Sequence, residues 1–210
     1  MSIVDSVFVG QPKNYIMEDG REWRSSIFRE RVTGPIEVGL RGLAGDKVAD
    51  TKNHGKKDMA VCLYPLSHYA LWNAEHGSAL GAGGVGENLT VTEQNEDSVC
   101  IGDIYKIGSV VLQISQPRFP CVKQERRTGI EGFLKRIKVT RRVGWYARVL
   151  EPGTLTEGNE LTLSERPHPD ITVAKAILPL LGPKNPDLAR ELKEIEALSS
   201  GWKWMLNRAL

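Results

Sequence analysis

Val110-Val111-Leu112-Gln113-Ile114-Ser115-Gln116-Pro117-Arg118-Phe119-Pro120-Cys121-Val122-Lys123 is the stretch from which the rest of the chain is read. Its first half is strand-like, because β-branched and apolar residues dominate up to Pro117. Proline has no N–H and cannot continue a central ladder. Pro117 and Pro120 then stiffen a turn that carries Cys121 between Arg118 and Lys123. Nearby cations favour the thiolate, the form that attacks electrophiles or binds metals. A buried structural cysteine fits the same residues equally well, since free cysteine is among the most buried residue types.

Around this turn the charge is uneven. From Gln113 to Arg148 there are ten cationic residues and two carboxylates, a balance of +8, whereas the whole chain carries +2. Such asymmetry points to an anionic partner near the cysteine turn or to a solvated basic face. The basic run shows no interleaved aromatic pattern and no recognisable reader motif, so nucleic acid is disfavoured. The 210 residues, 40% hydrophobic and 26% charged, suit one domain or one domain with a small appendage. No apolar run reaches the roughly 18 residues of a membrane span. The N-terminus lacks a secretory pattern. Cys62, Cys100 and Cys121 are odd in number and widely spaced, forming neither a disulfide framework nor a zinc knuckle. The expectation is a cytoplasmic protein in a reducing compartment.

The other elements follow from periodicity and turn residues. Strands are expected over Ser2–Gly10, Trp23–Phe28, Ile36–Leu40, Met59–Tyr64, Glu87–Thr92, Gly144–Leu150 and Leu161–Leu163. Asp103–Ile107 and Ser109–Ser115 read as a hairpin joined at Gly108. Pro65 opens a helix that Gly77 ends, and His68 lies inside it as a packed or solvated residue. Ile130–Ile137 has helical spacing. Gly81–Gly86 is a flexible turn or a place where backbone amides approach an anion. Many short strands with few helices argue for a barrel or sandwich. Beyond Pro169, helices over 172–181, 187–198 and 201–210 form an appendage, with Ser200 capping the last.

With these stretches identified, the chain resembles the MOSC domain proteins, named for the molybdenum cofactor sulfurase C-terminus, in the YiiM-like branch with a C-terminal three-helix extension. The resemblance rests on Gly42-Leu43-Ala44-Gly45-Asp46, His54-Gly55, Tyr64-Pro65, His68-Tyr69, Gly86-Glu87-Asn88-Leu89-Thr90, Ile101-Gly102-Asp103, Gln116-Pro117-Arg118-Phe119-Pro120-Cys121 and Gly144-Trp145-Tyr146. One departure is Lys56, where the branch usually has a second glycine after His-Gly. The resemblance implies a mainly β fold, a β-barrel MOSC-type domain over 1–168 with a helical extension over 169–210.

It also implies molybdenum cofactor binding, with Cys121 as the metal ligand, and reduction of N-hydroxylated compounds in a detoxifying role. The family's association with pyridoxal phosphate comes with it. Arg118 and Lys123 then face the anionic cofactor, while Asn88 and Glu87 either bond the pterin edge or cap a turn. Asp46 and His54 fall on the substrate side. Tyr146 donates a proton or anchors the barrel, and Trp145 packs. No flavin or iron–sulfur motif appears in the sequence, so electrons would come from a separate donor protein; a homodimer is compatible with the reading. Two alternatives use the same cysteine: a non-catalytic cofactor or sulfur carrier, and a metal-free thiol enzyme with His54 or His68 as base.

Overall fold

The long strand expected before the cysteine turn is present and central. The computed structural model describes residues 1–17, 19–51 and 55–210, so the expectations placed on His54 lie outside the described residues. In chain order the elements are β1 (Val4–Val9), β2 (Lys13–Ile16), β3 (Glu22–Ser25), β4 (Glu30–Val32), β5 (Ile36–Gly39), β6 (Gly42–Leu43), β7 (Val61–Pro65), α1 (Ser67–His76), β8 (Leu89–Val91), β9 (Ile104–Ile107) and β10 (Val110–Pro117). They continue with α2 (Val122–Thr128), α3 (Phe133–Thr140), β11 (Trp145–Glu151), β12 (Gly153–Leu155), β13 (Leu161–Glu165), α4 (Val173–Leu181), α5 (Pro186–Glu194) and α6 (Ser200–Leu206).

Eight strands form one sheet in the order β13-β9-β10-β11-β7-β8-β1-β4, beside a three-stranded sheet β12-β5-β6 and the ribbon β2-β3. The fold is therefore sheet-dominated with several helices, and the expected closed barrel is corrected to an open sheet. Closure stops at one bridge, Ile3 to Glu160. Beyond it β1 lies between β8 and β4, so β4 takes the edge that β13 would need to close the sheet.

β7 is buried at all five positions, as its unbroken apolar run requires. It pairs in parallel with β8, and α1 makes the crossover that a parallel pair needs. Gly77 ends α1 in the left-handed conformation with φ 61°. β9 and β10 join through Gly108-Ser109, as the hairpin reading anticipated. The ribbon strand β2 lies where only a polar loop was expected, and α2 follows Cys121 where no helix was expected. A two-stranded ribbon is marginal alone. Here Tyr15, Trp23 and Phe28 cluster, and α2 covers them with Arg126 over the Trp23 ring and Arg127 over the Phe28 ring, each at 5.0 Å.

The three C-terminal helices fit a small extension, and they share the main hydrophobic core through Val173, Ile177, Leu192, Trp202 and Leu206. The cap of α6 is Ser199, one residue before the expected Ser200; its Oγ accepts from the Trp202 amide at 3.0 Å. Ser199 also ties the extension to β10: its amide donates to the Ser115 carbonyl at 3.0 Å and its hydroxyl to Gln116.

Candidate functional site

A cleft of about 490 Å³ opens over the ends of β10, β11 and β7, with Cys121, Arg118 and Tyr146 in its walls. Local sequence explains the placement. Between Ile114 and Gln116 the β10–β11 register shifts, leaving Ser115 as an extra residue whose hydroxyl donates to the Tyr146 carbonyl at 3.0 Å. Beyond the bulge Gln116, Tyr146 and Cys62 fall into one row across the three strands. Pro117 ends β10, the turn swings out, and Cys121 stands at the start of α2, half-buried, with its amide donating to the Gln124 side chain at 3.0 Å. Behind the turn the Phe119 ring meets Trp202 of α6 edge-on at 6.3 Å.

The cations of the cleft come from both halves of the chain: Arg29, Arg41, Lys47, Arg118 and Lys123. Arg29 grips the Asp46 carboxylate with two bonds of 2.9 and 3.0 Å, and the Gly10 amide donates to the same carboxylate at 2.7 Å. Arg118 is almost fully buried. Burial alone would lower its pKa, but Cys62, Tyr146, Cys121 and Glu87 around it raise it, so it stays cationic. Its Nη2 donates to the Val85 carbonyl at 2.8 Å, while Nη1 is buried without a protein partner. Burial pushes the Tyr146 phenol up, so that side chain keeps its proton through the neutral range.

The glycine-rich turn 81–86 works in the opposite sense to an amide nest. Its amides are consumed internally: Gly84 donates to Gly81, Gly86 to Gly83, Gly83 to Glu87 Oε1 at 2.8 Å and Val85 to the Tyr69 hydroxyl at 3.2 Å. It offers carbonyls instead. Val85 receives Arg118, Gly86 receives Arg29 at 2.6 Å, and Gly83 receives Arg127 at 3.4 Å. The turn thus holds Arg118 and Arg29 at the cleft.

Residues 50–162 match the family model described as the MOSC domain, more than half of the chain. The chain belongs to the MOSC domain family. It is 34% identical to Protein YiiM of Escherichia coli over 85% of this chain and 81% of that one. The crystal structure of YiiM from Geobacillus stearothermophilus superposes with a TM-score of 0.85 at 30% identity, covering 100% of both chains. A protein of Gibberella moniliformis named "Reductase" is 39% identical over 73% of this chain, which spans 28% of that protein.

Within this MOSC chain the structure brings Cys121, Arg118, Lys123, Asn88, Asp46 and Tyr146 to the same cleft. Asn88 is 2% exposed, and its amide is used between strands, accepting from the Cys62 amide at 3.1 Å and donating to the Phe8 carbonyl at 3.2 Å. Glu87 does not line the cleft. It is fully buried, and Oε1 accepts from Tyr69 at 2.5 Å, Gly83 at 2.8 Å and Thr90 at 2.7 Å, which organises the glycine turn. His68 is buried against Glu96 at 2.7 Å, and Trp145 is core.

The +8 segment is dispersed more than its sequence suggests. Arg136 and Arg142 close on Glu75, Arg148 closes on Asp58, and only Arg118 and Lys123 of that segment reach the cleft. Arg29, Arg41 and Lys47 went unrecognised because nothing local marks them. Arg29 could have been suspected only by pairing it with Asp46, which is 17 positions away. Among the described residues no cluster of three or more metal-ligating side chains occurs. No described helix is long and apolar enough to cross a membrane. The pyridoxal phosphate association finds no support in the matched family or relatives.

Proposed function

We propose that this protein is a molybdenum cofactor-binding oxidoreductase that removes oxygen from N-hydroxylated compounds, with Cys121 as the protein's metal ligand. The observation that carries the reading is the pairing of a half-buried thiol with the buried, unpartnered Arg118 Nη1 in the wall of one cleft. A soft thiolate suits a sulfur-coordinated redox metal. A guanidinium with free donors suits the phosphate of an anionic pterin. These residues therefore fit the group: Cys121 would hold the metal, and Arg118 with Lys123 would hold the anionic end. When bound, the group supplies two-electron redox chemistry.

The chain's own residues supply the setting. Arg29 and the Gly10 amide hold Asp46 as a fixed carboxylate at the cleft wall. Tyr146 lines the cleft with a phenol that keeps its proton, and reduction of R–NHOH by two electrons and two protons gives R–NH2 and water, so a proton donor at the departing oxygen is required. The relative named "Reductase" supports the reaction class.

The test is metal analysis and turnover on protein made in cells that synthesise the cofactor. Wild type should carry about one molybdenum per chain and reduce hydroxylamine with reduced methyl viologen, and Cys121→Ser should lose the metal. Metal-free wild type together with a fully active Cys121→Ser would refute the assignment. Stoichiometric metal without turnover would favour the carrier.

A further inference from the structure

A second concavity, lined by Leu40, Lys57, Arg148, Leu198 and Lys203 among others, lies between the sheet and the C-terminal extension. It adjoins the cleft: Leu40 is next to Arg41 of the cleft wall, and Lys57 is two residues from Met59. Arg41, Lys47, Lys57, Lys123 and Lys203 border this joined surface, and none of them makes an ion pair with a described residue. Off this surface eight cationic side chains close on carboxylates and Arg126, Arg127 and Arg208 lie over aromatic rings, while Arg24, Lys106, Lys135, Lys138, Arg141 and Lys184 are scattered without an ion pair to a described residue. Asp46 and Asp58 on the joined surface are neutralised by Arg29 and Arg148 and so do not offset the five cations. Apolar side chains stand among these charges: Leu40 is 45% exposed and Phe119 39%.

We propose that this surface docks an acidic one-electron carrier protein, with its redox centre delivered to the mouth of the cleft beside Cys121. The proposal rests on the reductase reading, which requires electrons from outside the chain. Unpaired cations around a few exposed apolar residues have the composition of a steered protein interface, with a polar rim and an apolar centre. An acidic protein partner uses both the cations and the exposed Leu40 and Phe119. Lys57 and Lys203 lie on the side of the second concavity, outside the cofactor cleft, so their charge can be reversed without touching that cleft.

The test uses holoprotein, the double variant Lys57→Glu/Lys203→Glu, and a plant-type [2Fe–2S] ferredoxin as probe, with an acidic flavodoxin as a second. Calorimetric titration should show ferredoxin binding that weakens steeply with salt in the wild type. The variant should bind about tenfold or more weakly, raise the KM for reduced ferredoxin in step, and keep its turnover with reduced methyl viologen. Binding lost in the variant while no methyl viologen turnover is seen in either protein would keep the surface and remove the reductase reading. Equal binding by both proteins, or no binding of either carrier to the wild type, overturns the proposal. It is likewise overturned if phosphatidylglycerol vesicles or single-stranded RNA discriminate the two proteins while the carriers do not.

Discussion

Glu87→Ala should destabilise the fold strongly although the residue never touches the cleft. The carboxylate is fully buried, and one of its oxygens receives the Tyr69 hydroxyl, the Gly83 amide and the Thr90 hydroxyl. Truncation strands three buried donors, each costing about 1–3 kcal/mol when unpaired. The two hydroxyls can rotate toward other acceptors, but the Gly83 amide cannot. A net loss of about 3–6 kcal/mol follows, a large part of the 5–15 kcal/mol that typical domains have. At about 2–4 °C per kcal/mol for a chain of this size, the melting temperature should fall by roughly 6–24 °C. Glu87→Gln keeps an acceptor oxygen in place and should recover most of that loss. Thermal unfolding followed by circular dichroism is the assay, with both variants scanned beside wild type. A fall below about 2 °C for the alanine variant, or equal falls for both, would show that the carboxylate network does not hold the turn.

Three other outcomes are expected. Gly86→Ala places a Cβ 2.3 Å from Ile27 Cγ1 and 2.8 Å from its carbonyl at φ +76°, so denaturant unfolding should show a loss of about 2 kcal/mol or more. Trp202→Ala empties a fully buried site and removes the ring behind Phe119. It should cost about 3–5 kcal/mol in a single transition and speed iodoacetamide labelling of Cys121; two separate transitions would show that the extension unfolds independently. Arg136 and Arg142 hold the Glu75 carboxyl down to about 2 from its ordinary 4.5. A depressed carboxyl stabilises above its unfolded pKa and loses that contribution as pH falls through the folded one. The stability gap between wild type and Glu75→Gln should therefore be constant above about pH 5 and close toward pH 2.

What the sequence revealed was local. The β9–β10 hairpin, the buried run of β7, the glycine stop of α1 and the proline-stiffened cysteine turn each depend on residues within about ten positions of one another. α2 was missed because Val122-Lys-Gln-Glu-Arg-Arg-Thr has no apolar stripe; its arginines lie on Trp23 and Phe28, about a hundred positions earlier. The open sheet was read as a barrel because closure depends on whether β4 or β13 takes the second edge of β1, and strand alternation looks the same either way. The cysteine and its arginine were recognisable from their motif. Arg29 and Asp46 were not recognised as a pair, and the sequence left Glu87 between the pterin edge and a turn cap because burial is decided by long-range packing.

The stretch that matches the family model, 50–162, contains Cys121, Arg118 and Tyr146 but neither Arg29, Arg41, Asp46 nor Lys47. It also lacks β1, on which β8 lies, and the helix whose Trp202 backs the cysteine turn. An excised 50–162 fragment would therefore carry the thiol on a frayed sheet with one side of its receptacle missing. Engineers who transplant this chemistry must carry the flanking sequence with it, since the motif alone is half a vessel.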